Sequence, residues 1–255
     1  MIVDVVAIRE GEYLVGDDHV PNAFPRHMRR LRRPIWMDAS PVTWRLFQTF
    51  VAVGGYANPE WWRFGPKRLF LKSVVTQIDR RCCELAEQVS QLSMGEDSGR
   101  WDIADRPIVG LTWFEAAALA RACGARLPLE VEWEISQMPA SGDDAQSHDA
   151  SESSSRVRSH WGAEVWLGQF QEWTSAVFSP RYWSADLADP GELYSPDSSE
   201  AQVSVRGTAP TDVHQHLSYR RGADPWSGTS YRTFRRVWDQ APAVDQISAV
   251  RAGAA

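Results

Sequence analysis

Cysteine is scarce in this 255-residue chain: Cys82, Cys83 and Cys123 are the only three, and two are adjacent. An odd, clustered set of thiols is no disulfide framework, so a reducing, cytoplasmic setting is the expectation. Positive charge is in deficit too. Lys and Arg number 27 against 33 Asp and Glu, a net charge of −6. That excludes the basic field a general nucleic-acid binder needs. The one basic cluster, Arg26, Arg29, Arg30, Arg32 and Arg33, reads as a solvated strand edge or a surface interaction patch, with polyanion binding as the alternative. Long apolar runs are missing, none approaching the ~20 residues that cross a bilayer, so no membrane partner is expected. The opening "MIVDVVAIREGEYLVGDD" places acidic residues inside its apolar run and has no basic start, unlike a signal peptide.

What the chain has in excess is tryptophan, 13 residues. Rings in that number suit a loop-rich fold, where they wedge irregular backbone and each offers an N–H that needs a partner. Residues 1–16 alternate as a strand ending at Gly16, and "RRPIWMD" reads as a second. "SPVTWRLFQTFVAVGGY" spaces Leu46, Phe47, Phe50 and Val51 as a helix, with Thr43 as cap and Gly54-Gly55 as its end. Residues 67–94 keep a three- or four-residue apolar rhythm, which predicts a second, amphipathic helix with Cys82 and Cys83 at or beside its apolar face. Thr112 and Glu115 have capping-box spacing before a third helix closed by Gly124. "PLEVEWEISQ" is a short fourth, with Glu130, Glu132 and Glu134 read as capping and surface groups and acid/base catalysis as the alternative. Residues 139–159 are rich in Ser and Asp and read as a mobile loop; "QVSVRGT" and "YRTFRRVW" read as late strands, and 240–255 as a flexible tail.

One short stretch carries the chemistry. "TDVHQH" puts Asp212, His214 and His216 at alternate positions, and in an extended segment all three would point to one side. Two imidazoles and a carboxylate are the ligand types of a non-haem Fe(II) site. Three ligands so close in one segment also splay, and imidazoles in a polar groove commonly serve as hydrogen-bonding groups, so that alternative stands beside the metal. His160 is a candidate additional ligand.

At "RPIVGLTWFEAAALARACGARLPLEVEWEIS" the chain resembles the formylglycine-generating enzyme (sulfatase-modifying factor) family. The matching residues are Pro107, Val109, Gly110, Trp113, Ala116, Arg126, Leu127, Pro128, Glu130, Glu132, Trp133 and Glu134. "LGQFQEWTS", "VRGT" and "YRTFRRV" follow in the family's order, and the likeness runs over about residues 12–238. The resemblance implies an α+β, C-type-lectin-like fold, here a single domain over 1–239 with 67–95 as an inserted amphipathic helix. That helix either covers the groove or mediates self-association, or packs on its own domain.

Fold does not fix function. Formylglycine generators bind copper with two late cysteines, and nothing after Cys123 is a cysteine, so copper is not expected. The stretch that supplies the family's calcium ligands is largely replaced by the serine-rich loop, so calcium is not expected either. The resemblance to the family's sulfoxide synthases in "YR…P" points to Tyr219 and Arg220 as catalytic residues. The family's groove beside that loop places Trp173, Arg206, Trp226 and Arg232 as substrate-binding residues for a small molecule or peptide, with Trp173 and Arg206 knitting the core together as the alternative. Two functions follow: a metal-dependent oxidative enzyme acting on a small metabolite or a peptide- or carrier-bound amino acid, or a non-catalytic lectin-fold binding module.

Overall fold

The structure is a computed structural model that describes residues 4–62, 78–91, 102–139, 157–180 and 202–242. Among the described residues, nine short strands and four helices form an α+β fold. The alternating run at the start is two strands, β1 (Val5–Ile8) and β2 (Gly11–Val15), because the chain bends at Arg9-Glu10. β2 pairs antiparallel with β3 (His27–Leu31), setting Gly11 opposite Leu31 and Val15 opposite His27. Arg30 and Arg32 are exposed on and just after β3, as a solvated strand leaves them. β1, β4 (Ile35–Asp38) and β9 (Val237–Trp238) make a three-stranded antiparallel sheet that joins the two ends of the described chain.

The third sheet positions the site. Its order is β7 (Arg220–Ala223), β6 (Val203–Gly207), β5 (Gln171–Val177), β8 (Arg232–Phe234), antiparallel except for the parallel β5/β8 pair. Side chains alternate across a strand. One face therefore carries Trp173, Val205 and Phe234, all buried in the main core with Phe47 and Phe50 of α1 (Trp44–Ala52) and Leu119 of α3 (Trp113–Ala122). Phe47 and Phe50 are 1% exposed or less. Each contributes on the order of 2–3 kcal/mol by burial. Alanine at 116, 117, 118, 120 and 122 favours helix and lets α3 sink into that core.

The Thr112–Glu115 capping box is present, and Tyr56 Oη adds a hydrogen bond to Glu115 at 2.8 Å. Thr43 stands at the start of α1 but its side chain caps nothing. The carbonyl of Arg106 takes the Trp44 N–H instead, because Thr43 bridges to Pro107. Of the helix read over 67–94, α2 (Ile78–Ser90) is described, and Leu85 and Val89 pack it on its own domain. Cys82 lies beside that core, whereas Cys83 is exposed. The rest of that run, most of the 139–159 loop, and the tail after 242 lie outside the described residues.

Candidate functional site: the β6–β7 loop and its floor

The polar face of the third sheet is a charge problem solved by one helix. Register sets Arg206 of β6 directly opposite Arg220 of β7, both fully buried. Like charges so placed repel. α4 (Glu130–Ser136) lies over them and presents Glu130 and Glu134, one turn apart. Arg220 meets Glu130 through two bonds of 2.6 and 2.9 Å, and Arg206 meets Glu134 at 2.7 Å while its guanidinium lies over Trp133. Glu132, on another side of the helix, takes the Leu129 N–H and pairs with Arg126 at 2.6 Å. These glutamates are thus 3–5% exposed and ion-paired, not surface groups. Burial works against the Arg126 charge, but Glu132 and Asp239 outweigh it and hold its pKa above the ordinary value.

The same carboxylates hold the loops above. Glu134 Oε1 accepts the Gly16 N–H at 2.8 Å and the Ser218 hydroxyl at 2.9 Å, while Arg220 reaches the carbonyls of Asn22 and Ser179. Arg206 and Arg220, expected at the substrate and in catalysis, are therefore floor residues with no exposed surface. Trp173 follows the core alternative likewise: it is fully buried and its indole N–H is spent on the Leu111 carbonyl at 3.0 Å.

"TDVHQH" is not a strand; it lies in the irregular connection from Gly207 to Arg220. Its three candidate ligands go to three different places. Asp212 is an internal clamp: Oδ2 accepts the Ala209 N–H at 2.7 Å and Gln171 Nε2 at 2.8 Å, and Oδ1 pairs with Arg221 at 3.2 Å. His214 is exposed, with its ring 5.7 Å from that of Tyr219. His216 Nδ1 accepts the Ser218 N–H at 3.1 Å and its Nε2 faces Asp17 at 3.9 Å. With both oxygens of Asp212 engaged and the imidazoles turned to different partners, this set does not fit an iron ion. Among the described residues no group of three His, Cys, Asp or Glu side chains could hold a metal. His160 sits apart, edge-on to Trp161 beside the smaller core.

Trp226 and Arg232 behave differently. Trp226 is 46% exposed, its ring is backed by Phe114 with centroids 4.3 Å apart, and its backbone N–H is held by Asp224 in a tight turn. Arg232 donates to the Ser227 carbonyl at 3.0 Å and to Gln171 Oε1 at 3.1 Å. Gln171, which also donates to Asp212, thereby links the β6–β7 loop to the β7–β8 connection; Arg221 completes the chain. Sequence reasoning missed both. Neither carried a signal in the sequence: Gln171 falls on the face of Trp173 only once β5 is known to be a strand, and its first five residues are all buried.

A family model described as Sulfatase-modifying factor enzyme 1-like domain matches residues 1–199. Hercynine oxygenase of Mycobacterium tuberculosis is 30% identical over 216 residues, 80% of this chain and 45% of its own length. Formylglycine-generating enzyme of Streptomyces coelicolor is 31% identical over 180 residues, 65% of this chain and 55% of its own. The chain thus spans about half the length of these curated relatives. The structure of PvdO from Pseudomonas aeruginosa aligns with 91% of this chain and 93% of its own at a TM-score of 0.55 and 17% identity, a likeness of fold.

Proposed function

This chain belongs to the sulfatase-modifying factor enzyme 1-like family, and on that premise we propose that it is an oxidative enzyme for a small molecule bound where the β6–β7 loop meets the β7–β8 connection. The observation that carries the reading is the hydrogen-bonded chain Arg221–Asp212–Gln171–Arg232–Ser227, which fixes two loops to each other and leaves Trp226 facing solvent beside them. Rigid loops around an exposed ring are what a substrate-orienting site requires. The relative named as an oxygenase supports the oxidative part.

Oxygen chemistry needs a redox centre that side chains alone do not provide, and Fe(II) is the centre implied by the resemblance to the family's sulfoxide synthases, whose branch uses iron. Among the described residues no group of three His, Cys, Asp or Glu side chains offers a complete site for it. The chain's own contribution is orientation. Trp226, backed by Phe114, offers a flat apolar surface, and Tyr219 at the end of the loop is the hydroxyl proposed to hold or donate a proton. Oxygen uptake, measured with Fe(II), a reductant and a panel of amino-acid and peptide carboxylates, tests this. Substrate-dependent uptake that falls at least tenfold in Trp226→Ala supports it, and no uptake with any compound sinks it.

A second reading, a non-catalytic binding module, is favoured by a specific observation. Asp212, Arg206 and Arg220, the expected chemical residues, all serve to hold the fold. It predicts ligand binding at Trp226 without oxygen consumption.

A further inference from the structure

Five arginines are buried among the described residues. Four have a carboxylate in contact: Arg206 with Glu134 at 2.7 Å, Arg220 with Glu130 at 2.6 Å, Arg235 with Glu172 at 3.0 Å and Arg236 with Asp38 at 2.9 Å. Arg232, 5% exposed, is the exception. Its two hydrogen bonds go to neutral oxygens, the Ser227 carbonyl and the Gln171 amide, and its Nε is buried with no partner. The nearest help is the face of Trp173, 4.5 Å from the guanidinium carbon. Burial pushes the Arg232 pKa down to about 10, which still leaves a cation at neutral pH. Asp212 and Asp224 act on it only through space, and each is committed elsewhere, Asp212 to Arg221 and Gln171 and Asp224 to the backbone N–H of Trp226.

A fold that pairs its other buried arginines and leaves one uncompensated carries a cost, because an unpaired charge out of water destabilises. The cost is offset when something else brings the negative charge. On the same connection, the Thr229 hydroxyl is also buried without a partner. We infer that Arg232 is an anion subsite that takes the carboxylate of a small monocarboxylate whose flat, apolar body rests on Trp226. The charge argues for a monoanion: one positive charge lacks a counter-charge, and neighbouring Arg221 already has Asp212. The fork of guanidinium N–H groups matches a planar carboxylate. Trp226 supplies the second half, since Ser227, next in the chain, is the residue whose carbonyl holds Arg232. The inference rests on reading the junction of these two loops as the substrate site and names the group that the substrate must carry.

The test needs neither oxygen nor metal. Wild-type protein is titrated with phenylacetate and with the neutral isostere phenylacetamide, by calorimetry and ligand-observed NMR, beside Arg232→Met, Arg232→Lys and Trp226→Ala. Wild type is expected to bind the acid at least tenfold more tightly than the amide. Arg232→Met erases that preference, Arg232→Lys keeps part of it, and Trp226→Ala weakens both compounds. Thermal melts separate a ligand subsite from a structural role. Arg232→Met should melt at or above wild type because it removes an unpaired buried charge, whereas Arg220→Met, which orphans Glu130, melts well below. Equal binding of acid and amide by wild type, or a melting loss in Arg232→Met matching that of Arg220→Met, overturns the inference. Charge-selective binding without oxygen uptake under any condition would sink the oxidative reading and leave the subsite standing; uptake without charge selectivity would do the reverse.

Discussion

Replacing Glu130 with alanine tests the floor of the site most severely. Glu130 is 3% exposed and Arg220 is fully buried, with bonds of 2.6 and 2.9 Å between them. Breaking a buried pair by removing one partner costs about 3–5 kcal/mol, since the remaining charge is stranded. The Ser204 hydroxyl, which also donates to Glu130, loses its acceptor, adding about 1 kcal/mol. Arg220 keeps the Asn22 and Ser179 carbonyls, so the loss stays near the sum, about 4–6 kcal/mol. For a domain of this size that is a fall in Tm on the order of 10–20 °C. Calorimetric melts of Glu130→Ala, Arg220→Met and the Glu130→Met/Arg220→Met double variant measure it. The double variant should recover most of the loss, because an apolar pair strands no charge. A control at the exposed Arg45–Asp105 pair should leave Tm unchanged. If Glu130→Ala melts like that control, the argument that α4 neutralises the sheet's polar face is wrong.

Asp212→Asn should loosen the β6–β7 loop, costing about 1–3 kcal/mol through its bonds to Ala209, Gln171 and Arg221; faster limited proteolysis within residues 208–219 is the readout, and an unchanged rate would deny the clamp. A Cβ at Gly228 would overlap the Gly110 carbonyl oxygen, so Gly228→Ala must push the β7–β8 connection outward. A stability loss of about 1–3 kcal/mol is expected in denaturant titrations, and wild-type stability would contradict that close approach. Burial raises the pKa of Asp239, but the hydrogen bond and charge of Arg126, with Arg33, outweigh it and leave it below the ordinary value. A depressed carboxylate contributes stability above its unfolded pKa, roughly pH 4, that is lost as pH falls through the folded value. Asp239→Asn should therefore flatten the acid limb of the stability curve, an effect kept small by a side chain 38% exposed.

Much of the frame was legible where local chemistry decides it. The capping box of α3, the apolar spacing of α1 and the R-L-P-x-E-x-E-W stretch each announced their element, and the family followed from the last. β5 was not legible. Its first five residues are buried, so no hydrophobic alternation marks it, and its parallel partner β8 is remote in sequence. At the candidate site the residue types were legible but their contacts were not. Arg206 and Arg220 became floor residues because of a cross-strand register that no single segment reveals. "TDVHQH" alternates as a strand does, yet no strand pairs with it; Asp212 turns back on Ala209 and the ligand set scatters. Arg232 was picked out through the family's groove, but its lack of a counter-charge is visible only once every other buried arginine among the described residues has found one.

The central claim is that the β6–β7 loop is a clamped substrate loop and not a ligand set, and metal analysis of anaerobically purified protein tests it most directly. Wild type and His214→Ala/His216→Ala would be compared for iron and copper per chain, with circular dichroism confirming the fold. The account predicts the same metal content in both. About one metal ion per wild-type chain that vanishes in the double variant would contradict it and restore Asp212, His214 and His216 as ligands.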